Sequence, residues 1–393
     1  MTQRKMQPVS IVLFVAALFV VFFAFRKALL SSPVHDYFFY MQQWDAIIQG
    51  KNVWTIKFKP SPYGPVHSAL ALLYYIHFNL PRLFFVFLWL ICSFGIAIKL
   101  NKNSYLPNKH KYALFIVLLL NPLFWVFVVD YGTHDILMAF FVLSSVVLFT
   151  KKKDALSGLL MAIAVSVKFI PLVMVPFLIF SRTRIRWRYA FSFVITLLLI
   201  FGVCYFLWGD DIFRPFLRVH GRPSKMLSVF RFIRGEISPL RLFTANPNFD
   251  WLSVYLCLFS VFVFFLIHIQ RGFERISSSI ISMVILVTLY KVGHHQFYIT
   301  VTMLIVLWIG LDYKKIKDTG VELISVFAFI IWIAFVSLLY DQTNRYLGTG
   351  LREIIGLPTF LVSVWMLIHL IRYSYKMSGN HDLTNYSGDH SKK

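Results

Sequence analysis

Residues 31–65 read SSPVHDYFFYMQQWDAIIQGKNVWTIKFKPSPYGP. The stretch is polar where its surroundings are not. It follows the apolar run 10–30 and precedes a chain that is almost entirely apolar segments and short loops. It carries two carboxylates, Asp36 and Asp45, among tyrosines, phenylalanines and tryptophans. Asp36 comes a few residues after the first apolar run ends. A carboxylate there lies at a membrane surface, where a lipid-borne substrate presents its head group. The stretch reads as a catalytic loop and the rest of the chain as its holder.

Composition sets that context. Of 393 residues, 58% are hydrophobic, and the mean hydropathy is +0.70. A soluble core needs far less apolar sequence, so the expectation is an all-α, polytopic transmembrane helical bundle. The apolar runs extend for about 20 residues without alternation, which favours helices over barrel strands. The net charge of +22 falls largely in short loops between runs, as the positive-inside pattern expects, and does not call for a nucleic-acid partner. Cys92, Cys204 and Cys257 lie in apolar segments and read as small core residues, too few for a disulfide framework or a zinc site. No repeat of fixed period and no separate soluble domain is visible.

Taken in order, the apolar runs give about ten crossings with both termini cytoplasmic. Residues 66–79 are too short to cross a core of roughly 30 Å and read as an outer juxtamembrane helix. Residues 155–180 have basic flanks on both sides, with Lys168 and Pro171 in the middle. Proline interrupts a helix, so this segment reads as a re-entrant hairpin with Lys168 near its tip. The expected organisation is one membrane domain, 1–375. Within it lie an outer catalytic loop and juxtamembrane helix at 31–82, the hairpin at 155–180 and a basic outer loop at 209–250. Residues 376–393 are expected to be a disordered cytoplasmic tail.

Under this topology four polar clusters share the outer side: His35/Asp36, the turn DYGTHD at 130–135, the loop 209–250 and the turn KVGHHQFY at 291–298. Ionisable residues at the membrane edge are costly to hold and mark function by default. The loop 209–250 carries Arg214, Arg218, Arg222, Lys225, Arg231, Arg234 and Arg241 against Asp210, Asp211, Glu236 and Asp250. Its side of the membrane should be poor in such cations. The alternatives are a solvated loop and a phosphate cradle, since guanidinium forks match phosphate oxygens. An outer carboxylate with outer phosphate-binding groups suggests sugar transfer from a polyprenyl phosphate. The carboxylate takes a proton from the acceptor hydroxyl, and the cations stabilise the departing phosphate.

The same residues resemble the GT-C glycosyltransferases that use polyprenol-phosphate-mannose. The bacterial phosphatidylinositol-mannoside-type mannosyltransferases are nearer, and the first mannosyltransferase of GPI-anchor synthesis is more distant. The resemblance rests on Asp36, Tyr40, Trp44, Gly50 and Tyr63-Gly64-Pro65, on Gly132-Thr133-His134-Asp135, and on SGLLMAIAVSVKFIPLVMVP at 157–176. It also rests on HGRPSKMLSVFRF at 220–232 and on Lys291-Val292-Gly293-His294-His295-Gln296-Phe297. Gly64 replaces a family proline, Thr133-His134 stand where glutamine is usual, and Phe297 replaces tyrosine. The resemblance implies a GT-C-like fold and an inverting enzyme working on the extracytoplasmic face of a bacterial cell membrane. It implies no metal and no other cofactor, a polyprenyl-phosphate sugar donor with mannose as the leading sugar and arabinose or another hexose as alternatives, and a glycolipid, glycan or protein acceptor.

Asp36 is then the candidate base, with Asp45 as rival. Asp135 reads as a substrate-orienting acid or as the N-cap of the helix after it. Lys168 reads as a phosphate contact or as a snorkelling lysine. Arg222 and, beside it, Lys225 are candidate ligands of the donor phosphate. His294, His295 and Gln296 are candidate contacts to phosphate or sugar; two adjacent histidines do not face one direction, which argues against a metal site built on them. Tyr63 is a candidate stacking platform for a sugar. Two other classes stay open: a transporter or flippase for a lipid-linked sugar, which would use charges such as Lys168 but often shows internal repeats, and a non-catalytic assembly subunit.

Overall fold

Backbone groups in lipid must close their hydrogen bonds within one segment, so apolar runs of this length fold as helices. The computed structural model describes residues 8–33, 35–55, 61–215, 223–236, 238–241, 249–320, 322–340 and 353–387. Among them, six helices are long and apolar enough to cross a membrane: Leu80–Lys102, Asn108–Asp130, Trp187–Phe213, Phe249–Arg271, Phe297–Asp318 and Gly356–Ser378. Shorter apolar helices, Asp135–Thr150, Asp154–Val167, Arg275–Leu289 and Ile324–Leu338, pack between them. The outermost of the long helices, Trp187–Phe213, has only 6% of its apolar window buried, whereas Phe297–Asp318 has 78%, so the latter is the central helix of the bundle.

The first helices are α1 (Pro8–Leu30) and α2 (His35–Ile48), followed by the short α3 (Pro65–Ala69) and α4 (Ala71–Ile76) and by α5 (Leu80–Lys102). The stretch expected as a loop therefore contains a helix, residues 35–48. Residues 35–48 contain no glycine or proline, and Tyr37, Tyr40 and Trp44 recur at helical spacing and are all buried, which gives α2 an apolar face to dock. Pro65 starts α3 from the first turn, where its missing N–H costs nothing. Next come α6 (Asn108–Leu120), α7 (Pro122–Phe124), a π-helical turn Trp125–Asp130 and α8 (Asp135–Thr150).

Helix α9 (Asp154–Val167) returns antiparallel along α8, with Ser145 and Ser157 hydroxyls 3.0 Å apart at mid-length. The chain breaks at Lys168 and continues as a 3-10 turn, Ile170–Met174, and α10 (Val175–Ile179). It then doubles back far enough for Arg186 to pair with Asp154 at the start of α9. Helix α11 (Trp187–Trp208) lies against α9 so closely that a Cβ on Gly158 would meet the Tyr189 carbonyl oxygen at 2.3 Å. Within 209–250 the described residues include a 3-10 turn Gly209–Phe213, strand β1 (Lys225–Met226) and helix α12 (Val229–Arg234).

The remaining elements are α13 (Phe249–Arg271), α14 (Arg275–Leu289), strand β2 (Val292–Gly293), α15 (Phe297–Asp318), α16 (Ile324–Leu338) and α17 (Gly356–Ser387). β1 and β2 form a two-stranded parallel bridge, Lys225 opposite Val292 and Met226 opposite Gly293. The last helix extends to Ser387, into the tail expected to be disordered.

Glycines in this bundle divide by what surrounds them. Gly158→Ala should destabilise the protein by about 1–3 kcal/mol, because the new methyl meets backbone that cannot turn aside. Gly95→Ala, on the interior of α5 with nothing within 4 Å, should be neutral or stabilising by up to about 1 kcal/mol. Thermal midpoints of the two variants in detergent check the contrast.

Candidate functional site

The site is built on a break in a helix. α9 ends at Val167, and Lys168 is extended (φ −157°, ψ 132°), with Pro171 three residues on. Its side chain therefore leaves the helix axis and reaches Asp135, the first residue of α8, where a carboxylate also suits the helix dipole. Lys168 Nζ lies 2.8 Å from Asp135 Oδ1, with Asp135 fully buried and the lysine side chain 13% exposed. The ammonium also sits 4.4 Å from the centroid of Phe297, the first residue of α15, and 5.8 Å from that of Tyr63. One cation thus gathers α8, α9, α15 and the segment before α3.

Tyr63 is held there by backbone contact. Gly64 N–H donates to the Val167 carbonyl at 3.2 Å, and a Cβ at Gly64 would fall 2.1 Å from the Ser166 carbonyl oxygen. The glycine that departs from the family's proline is the residue that fits this approach. Behind Tyr63 stand three more rings. Tyr63 and His134 have centroids 4.3 Å apart, His67 and His134 4.7 Å, and Tyr40 and His67 4.9 Å. Trp44 closes the group, donating from Nε1 to the His67 carbonyl at 3.1 Å.

Asp36 lies one turn before Tyr40 on α2, hence on the same face. Its carboxylate is near enough to act electrostatically on both Tyr40 and Asp135. The residue singled out first in the sequence is therefore within electrostatic range of Asp135.

His67 and His134 were not singled out, and they are the most unusual groups in the cluster. Both are buried, and neither ring nitrogen of either makes a hydrogen bond among the described residues. Burial, with Lys168 adding to it, pushes His67 down to about 3. Burial, with His67 and Lys168 adding to it, holds His134 well below its usual range. Both imidazoles are neutral, each offering one donor and one acceptor. Unpaired buried polar atoms are costly, about 1–3 kcal/mol each, and call for a polar partner such as a hydroxyl. The signal in the sequence was a histidine on a short apolar helix just after the Tyr-Gly-Pro segment.

A second wall is contributed by the basic segment. Lys225 N–H donates to the Lys291 carbonyl and Leu227 N–H to the Gly293 carbonyl, at 2.9 and 3.0 Å. Two clusters separate in sequence, the loop 209–250 and the turn 291–298, are joined in this way. Lys225 is exposed on it, and Lys291 is buried over the Trp251 ring at 5.2 Å. Much of the loop's charge is already matched. Arg214 pairs with Asp211, Arg231 with Glu353, and Arg234 with Asp250, which also accepts from Ser224. Arg222 lies outside the described residues.

Gln296 is buried just before α15. His294 packs edge-on to Phe297 at 5.5 Å. His295 turns the other way, stacked on Phe127 at 5.3 Å and edge-on to Tyr340 at 5.0 Å. Burial pushes it down to about 3, so it is a neutral ring in an aromatic box rather than a cation.

The base of α2 is set by Arg82, fully buried at the start of α5. It donates to the carbonyls of Ser31 at 2.7 Å and Ala28 at 3.3 Å, and to that of Asp130. Its guanidinium lies 5.2 Å from the Tyr37 ring centroid. Among the described residues, no group of three or more histidine, cysteine, aspartate or glutamate side chains is placed to hold a metal ion.

Residues 58–292, more than half of the chain, match the sequence model of glycosyltransferase family 87. The matched range contains Tyr63, Asp135, Lys168, Arg222 and Lys225, begins after Asp36 and ends before His294. A search of curated proteins found no match.

Breaking the central ion pair from either side should be expensive. Asp135→Asn or Lys168→Met alone should cost about 3–5 kcal/mol, because the remaining charge is left buried, and the double variant should lose less than the two added. Chemical or thermal unfolding of the four proteins reads the coupling. The buried histidines make a second, pH-dependent prediction. His67 has a folded value of about 3 against an ordinary 6.5, so below 6.5 the unfolded chain takes up the proton and the folded chain does not. Stability should therefore be full above pH 6.5 and fall by about 1.4 kcal/mol per pH unit below it for each such ring. His67→Phe should flatten the thermal-midpoint profile between pH 7 and pH 5.

Proposed function

Starting from a chain that belongs to glycosyltransferase family 87, a membrane glycosyltransferase family of the GT-C type, we propose an inverting transferase that moves a sugar, mannose by the resemblance, from a polyprenyl-phosphate donor to an extracytoplasmic glycolipid or glycan. The family makes the protein a glycosyltransferase and, with its six long apolar helices, an integral membrane protein. The donor, the sugar, the acceptor and the side of the membrane belong to the proposal.

The observation that carries it is the placement of Asp36 within electrostatic range of Asp135, which pairs with Lys168, and of Tyr40 in the ring cluster with Tyr63, His67 and His134. Asp36 accepts the proton of the acceptor hydroxyl as that oxygen bonds to the anomeric carbon. The bond from that carbon to the phosphate oxygen breaks, and the lipid phosphate leaves with the electron pair. Lys168 has ammonium donors beyond the one given to Asp135, and with Lys225 it is suited to bear on the departing charge. Asp135 holds Lys168 in place. The neutral imidazoles and Tyr63 offer hydrogen bonds and a stacking face to sugar hydroxyls and ring.

Membranes carrying the protein, supplied with labelled polyprenyl-phosphate sugars, test this directly. Asp36→Asn should lower transfer by about 10²–10⁴-fold while the protein still inserts and folds. Undiminished transfer by a folded Asp36→Asn protein would rule out Asp36 as the base.

A further inference from the structure

A groove of about 630 Å³ runs along α1, away from the ring cluster. Its apolar floor is formed by Phe19, Val20, Phe23 and Leu30 of α1, with Trp125 facing them. Phe19, Phe23 and Leu30 are 59%, 49% and 68% exposed, so no protein side chain covers them. Their spacing follows one face of the helix. From Phe19 to Arg26, where the apolar strip ends, that face is about 10 Å long at the α-helical rise.

The groove is polar at one end only. Arg26, Lys27 and Ser31 line it there. Lys27 is matched by Asp130, Nζ to Oδ1 at 2.6 Å. Ser31 gives its carbonyl to the buried Arg82. Arg26 makes no ion pair or hydrogen bond among the described residues. Two cations, Arg26 and Lys27, thus meet one carboxylate, Asp130, at the mouth of an apolar channel. Between this mouth and Asp36 stand the buried Arg82 and Tyr37, so the groove is separate from the reacting cluster.

We propose that this groove is a binding site for an anionic bilayer phospholipid, with one acyl chain along Phe19, Val20 and Phe23 and its phosphate on Arg26. The one cation unpaired at the mouth among the described residues fits a single phosphate head, and the apolar strip beside it fits one acyl chain. The site is independent of the proposed sugar transfer. The bound head would sit against the Lys27–Asp130 pair and Ser31, the residues that join α1 to the base of α2.

The test is native mass spectrometry of the full chain extracted from vesicles of equimolar phosphatidylglycerol and phosphatidylcholine. The protein should retain one phosphatidylglycerol in preference to phosphatidylcholine. Arg26→Gln, which changes an exposed side chain, should lower that retention about tenfold, as expected for one charge-assisted hydrogen bond. Val20→Trp, which fills the floor and leaves the charge, should lower it as well. Lys109→Gln, an exposed cation at the opposite end of the bundle, should leave it unchanged. Equal retention of the two lipids, wild-type retention by either groove variant, or displacement of phosphatidylglycerol by equimolar polyprenyl phosphate would each overturn the proposal.

Discussion

A lysine and an aspartate, placed where neither has water to turn to, organise this protein. Lys168 and Asp135 come from the ends of two antiparallel helices, and each is tolerable there because of the other. The pair needs α9 to stop at Val167, which the extended Lys168 and nearby Pro171 bring about. It needs the chain before α3 to lie flat against that end, which Gly64 permits by having no Cβ. Phe297 supplies the third side, so the central helix α15 is drawn into the same point. Net stability gained from such a pair is small. What it supplies is position, because only one packing of these four segments leaves neither charge alone.

Around that point the charges separate into those that hold the structure and those left for a ligand. Arg82, Lys27, Arg231 and Arg234 each have a backbone or carboxylate partner and serve to tie loops to helix ends. Basic side chains on the loop 209–250 looked like a single cradle in one dimension. In three dimensions three of its arginines are matched, Arg214 by Asp211 and Arg234 by Asp250 within the loop, and Arg231 by the distant Glu353. The groups that remain unsatisfied are mostly neutral: the four ring nitrogens of His67 and His134. These neutral donors and acceptors stand beside the buried Lys168–Asp135 pair, with the Lys168 ammonium 5.8 Å from the Tyr63 ring.

The readings of the sequence that hold are those with a strong periodic or cumulative signal. Long apolar runs forecast a helical membrane bundle, with about ten crossings expected against six described helices long enough to span, and the proline after Lys168 forecast the break in α9. The polar clusters at 36, 130–135, 168 and 291–298 lie at helix ends that the fold gathers. Residues 35–48 read as part of a loop because carboxylates, glutamines, glycines and prolines are interspersed along 31–65. The three buried aromatics that make 35–48 an amphipathic helix form only one face, and their partners lie far away in the chain. His67 escaped notice for the same reason: a lone histidine on a short apolar helix has no meaning until His134, Tyr63 and Tyr40 are packed against it.

By itself the amino-acid order determined the helical, membrane-borne class of the chain, the segments that carry charge, and a set of spaced motifs pointing to sugar transfer. These are local properties: hydropathy over twenty residues, a proline in a run, a carboxylate just past a span. Tertiary structure decided which charges neutralise one another and which polar atoms stay unpaired. Those outcomes depend on distances between residues such as Asp135 and Lys168, or His67 and His134, that sequence separation does not encode. The same is true of the groove on α1, whose cationic mouth exists only because Trp125 and Asp130 are folded against that helix.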